Sequence, residues 1–107
     1  MKLLSRQDEL VLLAIYKLKD EAYGVTIREH ISRITGKYWS VGAIYVPIDR
    51  LITKGFISFY FKDIIIKKGG RRKRFYKITS DGMKALEETL ALQKSVWCDF
   101  PGYAVNK

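Results

Sequence analysis

Lys62-Asp63-Ile64-Ile65-Ile66-Lys67-Lys68-Gly69-Gly70-Arg71-Arg72-Lys73-Arg74-Phe75-Tyr76-Lys77 sets eight basic residues against one acid, and so carries +7 of the +9 formal charge of this 107-residue chain. A run of strand-forming residues precedes its centre, Phe56-Ile57-Ser58-Phe59-Tyr60-Phe61, and Phe75-Tyr76-Lys77-Ile78 follows it. Glycine supplies the positive φ of a tight turn, so Gly69-Gly70 between two such runs predicts the tip of a β-hairpin. A tip this basic suits a polyanion, whose backbone releases counterions when Lys and Arg neutralise it. The plainer role for such charge is protection of an exposed strand edge against pairing with another chain.

Upstream of the hairpin, apolar residues recur at helical spacing. Ser5 with Asp8 three residues later resembles a capping box, with Asp in place of Glu. Behind it Leu10, Leu13, Ala14 and Leu18 share a face that Val11 and Ile15 widen. So broad an apolar surface predicts burial on two sides, one against the core and one against a partner. Asp20 to Gly24 predicts a turn. Val25 to Thr35 predicts a second helix, with Ile27, Ile31 and Ile34 as its buried stripe and Gly36 placed to end it. Trp39 then predicts a core plug. Ser40 is the next N-cap, opening a third helix over Val41 to Lys54 with Ile44, Ile48, Leu51 and Ile52 on one face. Pro47 conflicts with that helix, because an interior proline forgoes one backbone bond and crowds the carbonyl four residues back; a kink or loosened turn is expected around Ala43 to Pro47. Downstream, Thr79 caps a last helix over Ser80 to Val96. Met83, Leu86, Leu90 and Trp97 form a near-heptad line on it, interrupted by Gln93, with Ala85, Leu92 and Val96 as a second line. That is more apolar surface than one small domain covers by itself.

Composition narrows the function classes. The length suits one domain, and 48% hydrophobic content is that of a globular chain. No apolar run approaches the roughly 18 residues a membrane span needs, and the N-terminus does not read as a secretory signal. The single Cys98 excludes an internal disulfide and suits a reduced, cytoplasmic setting. The lone His30 builds no metal site, and neither a catalytic constellation nor a cofactor motif is visible, so no cofactor is expected and an enzyme is disfavoured.

The predicted fold class is α+β, mainly α: a winged helix-turn-helix of three helices and a two-stranded wing, followed by one C-terminal dimerisation helix. Residues 1–79 form the DNA-binding domain in this reading, and residues 80–107 the dimerisation helix and tail. The second helix of a helix-turn-helix pair enters the major groove, and a basic hairpin after it reaches phosphates or a neighbouring minor groove. The start of the third helix, Ser40, Val41, Gly42 and Ala43, brings small side chains and amide donors to double-stranded DNA. The wing, Lys67, Lys68, Gly69, Gly70, Arg71, Arg72, Lys73 and Arg74, adds charge.

Four segments in order, Ala22-Tyr23-Gly24, Gly42-Ala43-Ile44-Tyr45, Asp49-Arg50-Leu51 through Gly55-Phe56-Ile57, and Gly69-Gly70-Arg71-Arg72-Lys73-Arg74-Phe75-Tyr76-Lys77-Ile78-Thr79, resemble the PadR family of winged-helix transcriptional regulators. The resemblance spans about residues 4 to 95. It implies a homodimer that represses by occupying a palindromic operator, and the short subclass with one helix after the wing. It also implies a phosphate contact for Tyr45, a mix of packing and backbone positioning for Tyr23 and Gly24, and DNA contact for the wing from Lys68 to Arg74. Ile64-Ile65-Ile66 departs from the polar or acidic residues common there, which predicts a longer hairpin or a covered wing base.

Several roles stay open at the level of sequence. Tyr45 either contacts phosphate or packs beside Tyr23. Arg50 either reaches DNA or pairs with Asp49 or another surface acid. Leu10, Met83, Leu86, Leu90 and Trp97 are the candidate dimer interface. Trp97 and Asp99 are also candidate ligands for a small aromatic effector, since two indoles across a two-fold axis sandwich a planar cation; the alternative buries Trp97 as dimer core. The rival function is a basic winged-helix module that binds RNA or a ribosome without operator specificity.

Overall fold

Side-chain caps set where the helices begin. Ser5 Oγ accepts from the Asp8 N–H (3.1 Å), Ser40 Oγ from Ala43 (3.1 Å) and Thr79 Oγ1 from Gly82 (3.0 Å). They open α1 (Arg6–Leu18), α3 (Val41–Thr53) and α4 (Ser80–Val96) in the computed structural model, which describes residues 3–66 and 69–103. In α2 (Gly24–Thr35) the Tyr23 N–H donates instead to Thr26 Oγ1 at 3.0 Å, and Gly36, at φ 71°, ends the helix. A short 3-10 turn, Lys19–Glu21, joins α1 to α2.

The core lies where these helices meet the hairpin. Val11, Leu12, Ala14 and Ile15 of α1 pack with Ile27 and Ile31 of α2 and Ile44, Ile48 and Leu51 of α3. Each such aliphatic side chain, fully buried, contributes about 1.5–3 kcal/mol. The second helix buries less than its pattern predicts: Ile34 is 57% exposed, because two turns of α2 already meet the core through Ile27 and Ile31. Pro47 does not interrupt α3. Its ring is buried among the core residues, which offsets the one backbone bond its missing N–H forgoes.

Asp8 does not complete a capping box. It is buried, the one such charged side chain among the described residues, and faces the last turn of α3. Arg50 Nη2 lies 2.8 Å from Asp8 Oδ1, Arg50 Nε lies 3.1 and 3.3 Å from Oδ1 and Oδ2, and Lys54 Nζ approaches Oδ2 at 3.7 Å. A buried carboxylate needs such partners, and a bidentate guanidinium fixes geometry as well as charge. The pairing ties α1 to α3.

The hairpin differs most from its sequence reading. β1 (Ile57–Ile66) and β2 (Gly69–Ile78) pair antiparallel from Ile57↔Ile78 out to Ile66↔Gly69. Gly69 and Gly70 are therefore strand residues opposite Ile66 and Ile65, and the connection falls on residues 67 and 68, outside the described residues. The β-branched Ile64-Ile65-Ile66 extends β1, which lengthens the hairpin as that departure suggested. The wing's base is fixed by burial: Phe75 and Tyr76 are enclosed, the Tyr76 N–H donates to Ala22 O (2.8 Å), and Tyr23 forms a bridge to Phe75.

Where α4 leaves the wing, Thr79 Oγ1 donates to Gly55 O at 2.7 Å and its N–H to Phe56 O at 3.0 Å. Gly82 allows this close approach, since a Cβ there would overlap the Phe56 carbonyl. Beyond that point α4 departs from the body: of its seventeen residues only Gly82 is buried.

Candidate nucleic-acid interface

The outward face of α3 is small and partly apolar. Val41 is 55% exposed, Val46 54% and Tyr45 38%; Ser40, Gly42 and Asp49 are exposed too, and Ala43 is half-buried. Ser40 Oγ is engaged as the cap, so the helix presents its first-turn amides and these short side chains together. Val46 was not among the expected site residues. Its signal is the four-residue row Gly42, Val46, which lies beside the row Val41, Tyr45, Asp49 on one helical face.

Tyr45 packs over the first turn of α2. A Cβ on Gly24 would overlap its hydroxyl, so the Tyr-Gly pair before α2 exists in part to seat this ring. Tyr23 turns the other way and stacks on Phe75, with centroids 4.9 Å apart. The Tyr45 ring packs beside Gly24, and part of it stays exposed.

Arg50 is placed differently from both of its expected roles. Its guanidinium binds Asp8 rather than Asp49 while its side chain stays 42% exposed, and that hydrogen bond holds its pKa above the ordinary value. Asp8 lies 42 positions away in sequence, beyond any local pattern.

The wing's described cations are strand residues on two faces. Arg72, Lys73 and Arg74 lie opposite Asp63, Lys62 and Phe61, and Arg71 lies opposite Ile64. Gly69 and Gly70 contribute backbone to the distal strand, and Lys67 and Lys68 lie outside the described residues. Burial holds the Tyr76 phenol above its usual pKa; the hydrogen bond from Arg74 opposes this, while Tyr45 and Asp49 reinforce it. The base of the wing thus adjoins the outward side of α3.

A second region lies between α1 and α4. A cavity of about 390 Å³ is lined by Glu9, Leu13 and Tyr16 of α1 and by Met83, Leu86 and Leu90 of α4. Leu10, a candidate for the dimer interface, is partly buried against the core, and the face of α1 that lines this cavity runs through Leu13 and Tyr16. Trp97 lies off the Met83–Leu90 line. It borders an adjoining cavity with Leu3, Leu4 and Val96, packs edge-on against Phe100 at 5.0 Å and stacks on Tyr103 at 6.2 Å. A straight helix drifts about 20° per heptad, which carries a heptad line of this length off its starting face. Asp99 is exposed at φ 69° in the turn after the helix and borders neither cavity. Trp39 fills its expected place, half-buried against the core with Nε1–H donating to Thr35 Oγ1 at 3.0 Å. Among the described residues no cluster of His, Cys, Asp or Glu could hold a metal, and no helix is long and apolar enough to cross a membrane.

This arrangement has relatives. The model of the transcriptional regulator PadR-like family matches residues 11–88. The structure of a PadR family transcription regulator from hypervirulent Clostridium difficile R20291 is 26% identical, with a TM-score of 0.69, over 92% of this chain and 100% of that one. A transcriptional regulator from Clostridium thermocellum is 25% identical, with a TM-score of 0.66, over 89% of each chain. A PadR-like transcription factor from Bacteroides fragilis shares the fold at 23% identity, with a TM-score of 0.65 over 85% of each chain. Comparison with curated proteins finds no match.

Proposed function

This chain belongs to the transcriptional regulator PadR-like family, and on that premise we propose that it is a homodimeric repressor which occupies palindromic operator DNA. The observation that carries the reading is the exposed start of α3, Ser40 to Val46, with a basic wing beginning at its side. A helix N-terminus with short side chains approaches base edges closely, and its amides favour phosphate. The wing supplies the sequence-independent charge. The half-exposed apolar seam of α1 and α4 supports dimerisation, since a two-fold partner laid along it covers both Leu13 and Leu90. Two copies of α3 about 34 Å apart then meet successive major grooves. The cavity in that seam supports response to a small aromatic effector.

Selection of bound duplexes from a random pool tests this. The expected product is a palindrome whose half-sites lie about one helical turn apart. Val46→Ala with Gly42→Ala then alters the preferred bases, while binding to mixed DNA changes little. Recovery of RNA in preference to duplex, or of sequences without symmetry, overturns the operator reading.

A further inference from the structure

Alternation along β2 divides the wing's described cations between two faces. Arg72, Arg74 and Tyr76 share one face with Asp63, Phe61 and Phe59, the residues opposite them on β1. Lys73, Phe75 and Lys77 share the other with Lys62, Tyr60 and Ser58, and Arg71, opposite Ile64, falls at the same alternation. The two faces behave differently. On the face of Lys73 and Lys77, Phe75 is buried beneath Tyr60 and Tyr23, and Lys62 Nζ sits 4.5 Å from its centroid while donating to Asp20 O at 3.2 Å.

On the face of Arg72 and Arg74, Tyr76 is enclosed but Phe59 and Phe61 stay open, 43% and 58% exposed, and the guanidinium groups lie over these rings. Arg74 Cζ is 4.7 Å from the Phe59 centroid and 5.3 Å from that of Tyr76, and Arg74 Nε donates to Tyr76 Oη at 2.9 Å. Arg72 Cζ is 5.9 Å from the Phe61 centroid, and Phe61 meets Phe59 edge-on at 6.0 Å. The order Arg72, Phe61, Phe59, Arg74, Tyr76 runs back along the wing to the side of α3 that carries Tyr45 and Asp49.

We infer that Phe59, Phe61 and Tyr76 are positioning residues that hold Arg72 and Arg74 as a prearranged clamp for the phosphates of duplex DNA, extending the footprint of α3 along the face these two arginines share. The inference rests on the DNA-binding reading above and says which face of the wing delivers it. A guanidinium laid on a ring keeps its in-plane N–H groups free, and that planar fork matches phosphate. Arginine gives up much rotamer freedom when it binds, and a stacked arginine has surrendered part of it beforehand. Lysine gains little from the same ring, because its ammonium is compact and has no plane to stack. The Arg72 Nε–Asp63 Oδ1 contact, 3.7 Å with both side chains over 70% exposed, is weak enough for a phosphate to replace.

Fluorescence anisotropy on a labelled mixed-sequence duplex tests this, since phosphate contacts need no operator. Arg74→Lys and Phe59→Leu should each weaken binding about fivefold. Combined, they should lose no more than the worse single change, because the lysine has no stack left to forfeit. The same cycle with Arg72→Lys and Phe61→Leu, at the exposed distal pair where folding is not at stake, should repeat the result. Arg74→Gln should lower the log–log salt slope by about 0.9, and Lys73→Gln on the opposite face should leave it unchanged. Additive losses in both cycles, or equal slope changes from the two Gln variants, overturn the clamp while leaving DNA binding intact. A native protein that binds no duplex at low salt overturns the proposed function itself.

Discussion

Helices α3 and α4 each carry apolar residues at helical spacing, more densely in α3, and meet different fates. In thirteen residues α3 buries Ile44, Pro47, Ile48 and Leu51, whereas α4 in seventeen buries only Gly82 and leaves Leu90 50% and Val96 68% exposed. The difference is where each apolar face finds a partner. That of α3 is met by α1, α2 and the wing. That of α4 reaches the core only near its start, through Ala85 and Leu86, and beyond them it borders open cavities against α1 and the residues before it. Periodicity therefore reports that a face will be buried, but not whether the same chain buries it.

Ile48→Asp gives the largest effect. It places an unpaired charge at a fully buried site, a penalty comparable with the whole stability of a domain this size, about 5–15 kcal/mol. Circular dichroism should show no cooperative unfolding transition. Leu90→Asp is expected to leave the helical signal and the folded chain, because Leu90 is half-exposed in it, and to abolish self-association. Sedimentation should then find monomer at micromolar concentration. If Leu90→Asp instead remains a dimer, the covered face of α4 is not the one through Leu90. If it unfolds as Ile48→Asp does, α3 and α4 are equally core and the contrast fails.

Operator binding gives an intermediate effect. Dimer loss in Leu90→Asp should cost palindromic sites far more than mixed DNA, since only the former need two linked copies of α3. Equal losses on both would mean that one subunit reads DNA alone.

The two helices also mark how far the sequence could be read. Ser5, Ser40, Thr79 and Gly36 act within three or four residues, and each helix boundary they predict agrees with the structure to about one residue. The hairpin tip was misplaced because Gly69-Gly70 is also compatible with strand, and because the register is set by burial at Ile57, Ile78 and Tyr76, far from the tip. The Asp8–Arg50 contact was invisible, as was the choice between Leu10 and Leu13 at the α4 seam, since both depend on how α1 is rotated against distant elements. The shared face of Arg72, Arg74 and Tyr76 was present in the alternation of residues 72–76 but required strand character there to be known.

Trp97 offers the smallest and sharpest effect. It lies past the last turn of α4, 40% exposed, with Phe100 and Tyr103 against it, so its fluorescence reports on the uncovered end of that helix. Trp39 is half-buried and bonded to Thr35 near the start of α3, so it reports on the covered region. A planar aromatic cation that binds the seam should quench fluorescence saturably. Trp97→Ala should abolish that quenching, and Trp39→Ala should not. Linkage is reciprocal, so if the ligand prefers the spacing of the α3 helices that DNA does not, it should loosen operator binding by the same factor by which operator weakens the ligand, about 5- to 150-fold in coupled systems of this kind. Quenching that survives Trp97→Ala but not Trp39→Ala would place the ligand at the α2–α3 side. Quenching without any change in operator affinity would mean that the seam binds the ligand equally well in both spacings, and that α4 closes the dimer without regulating it.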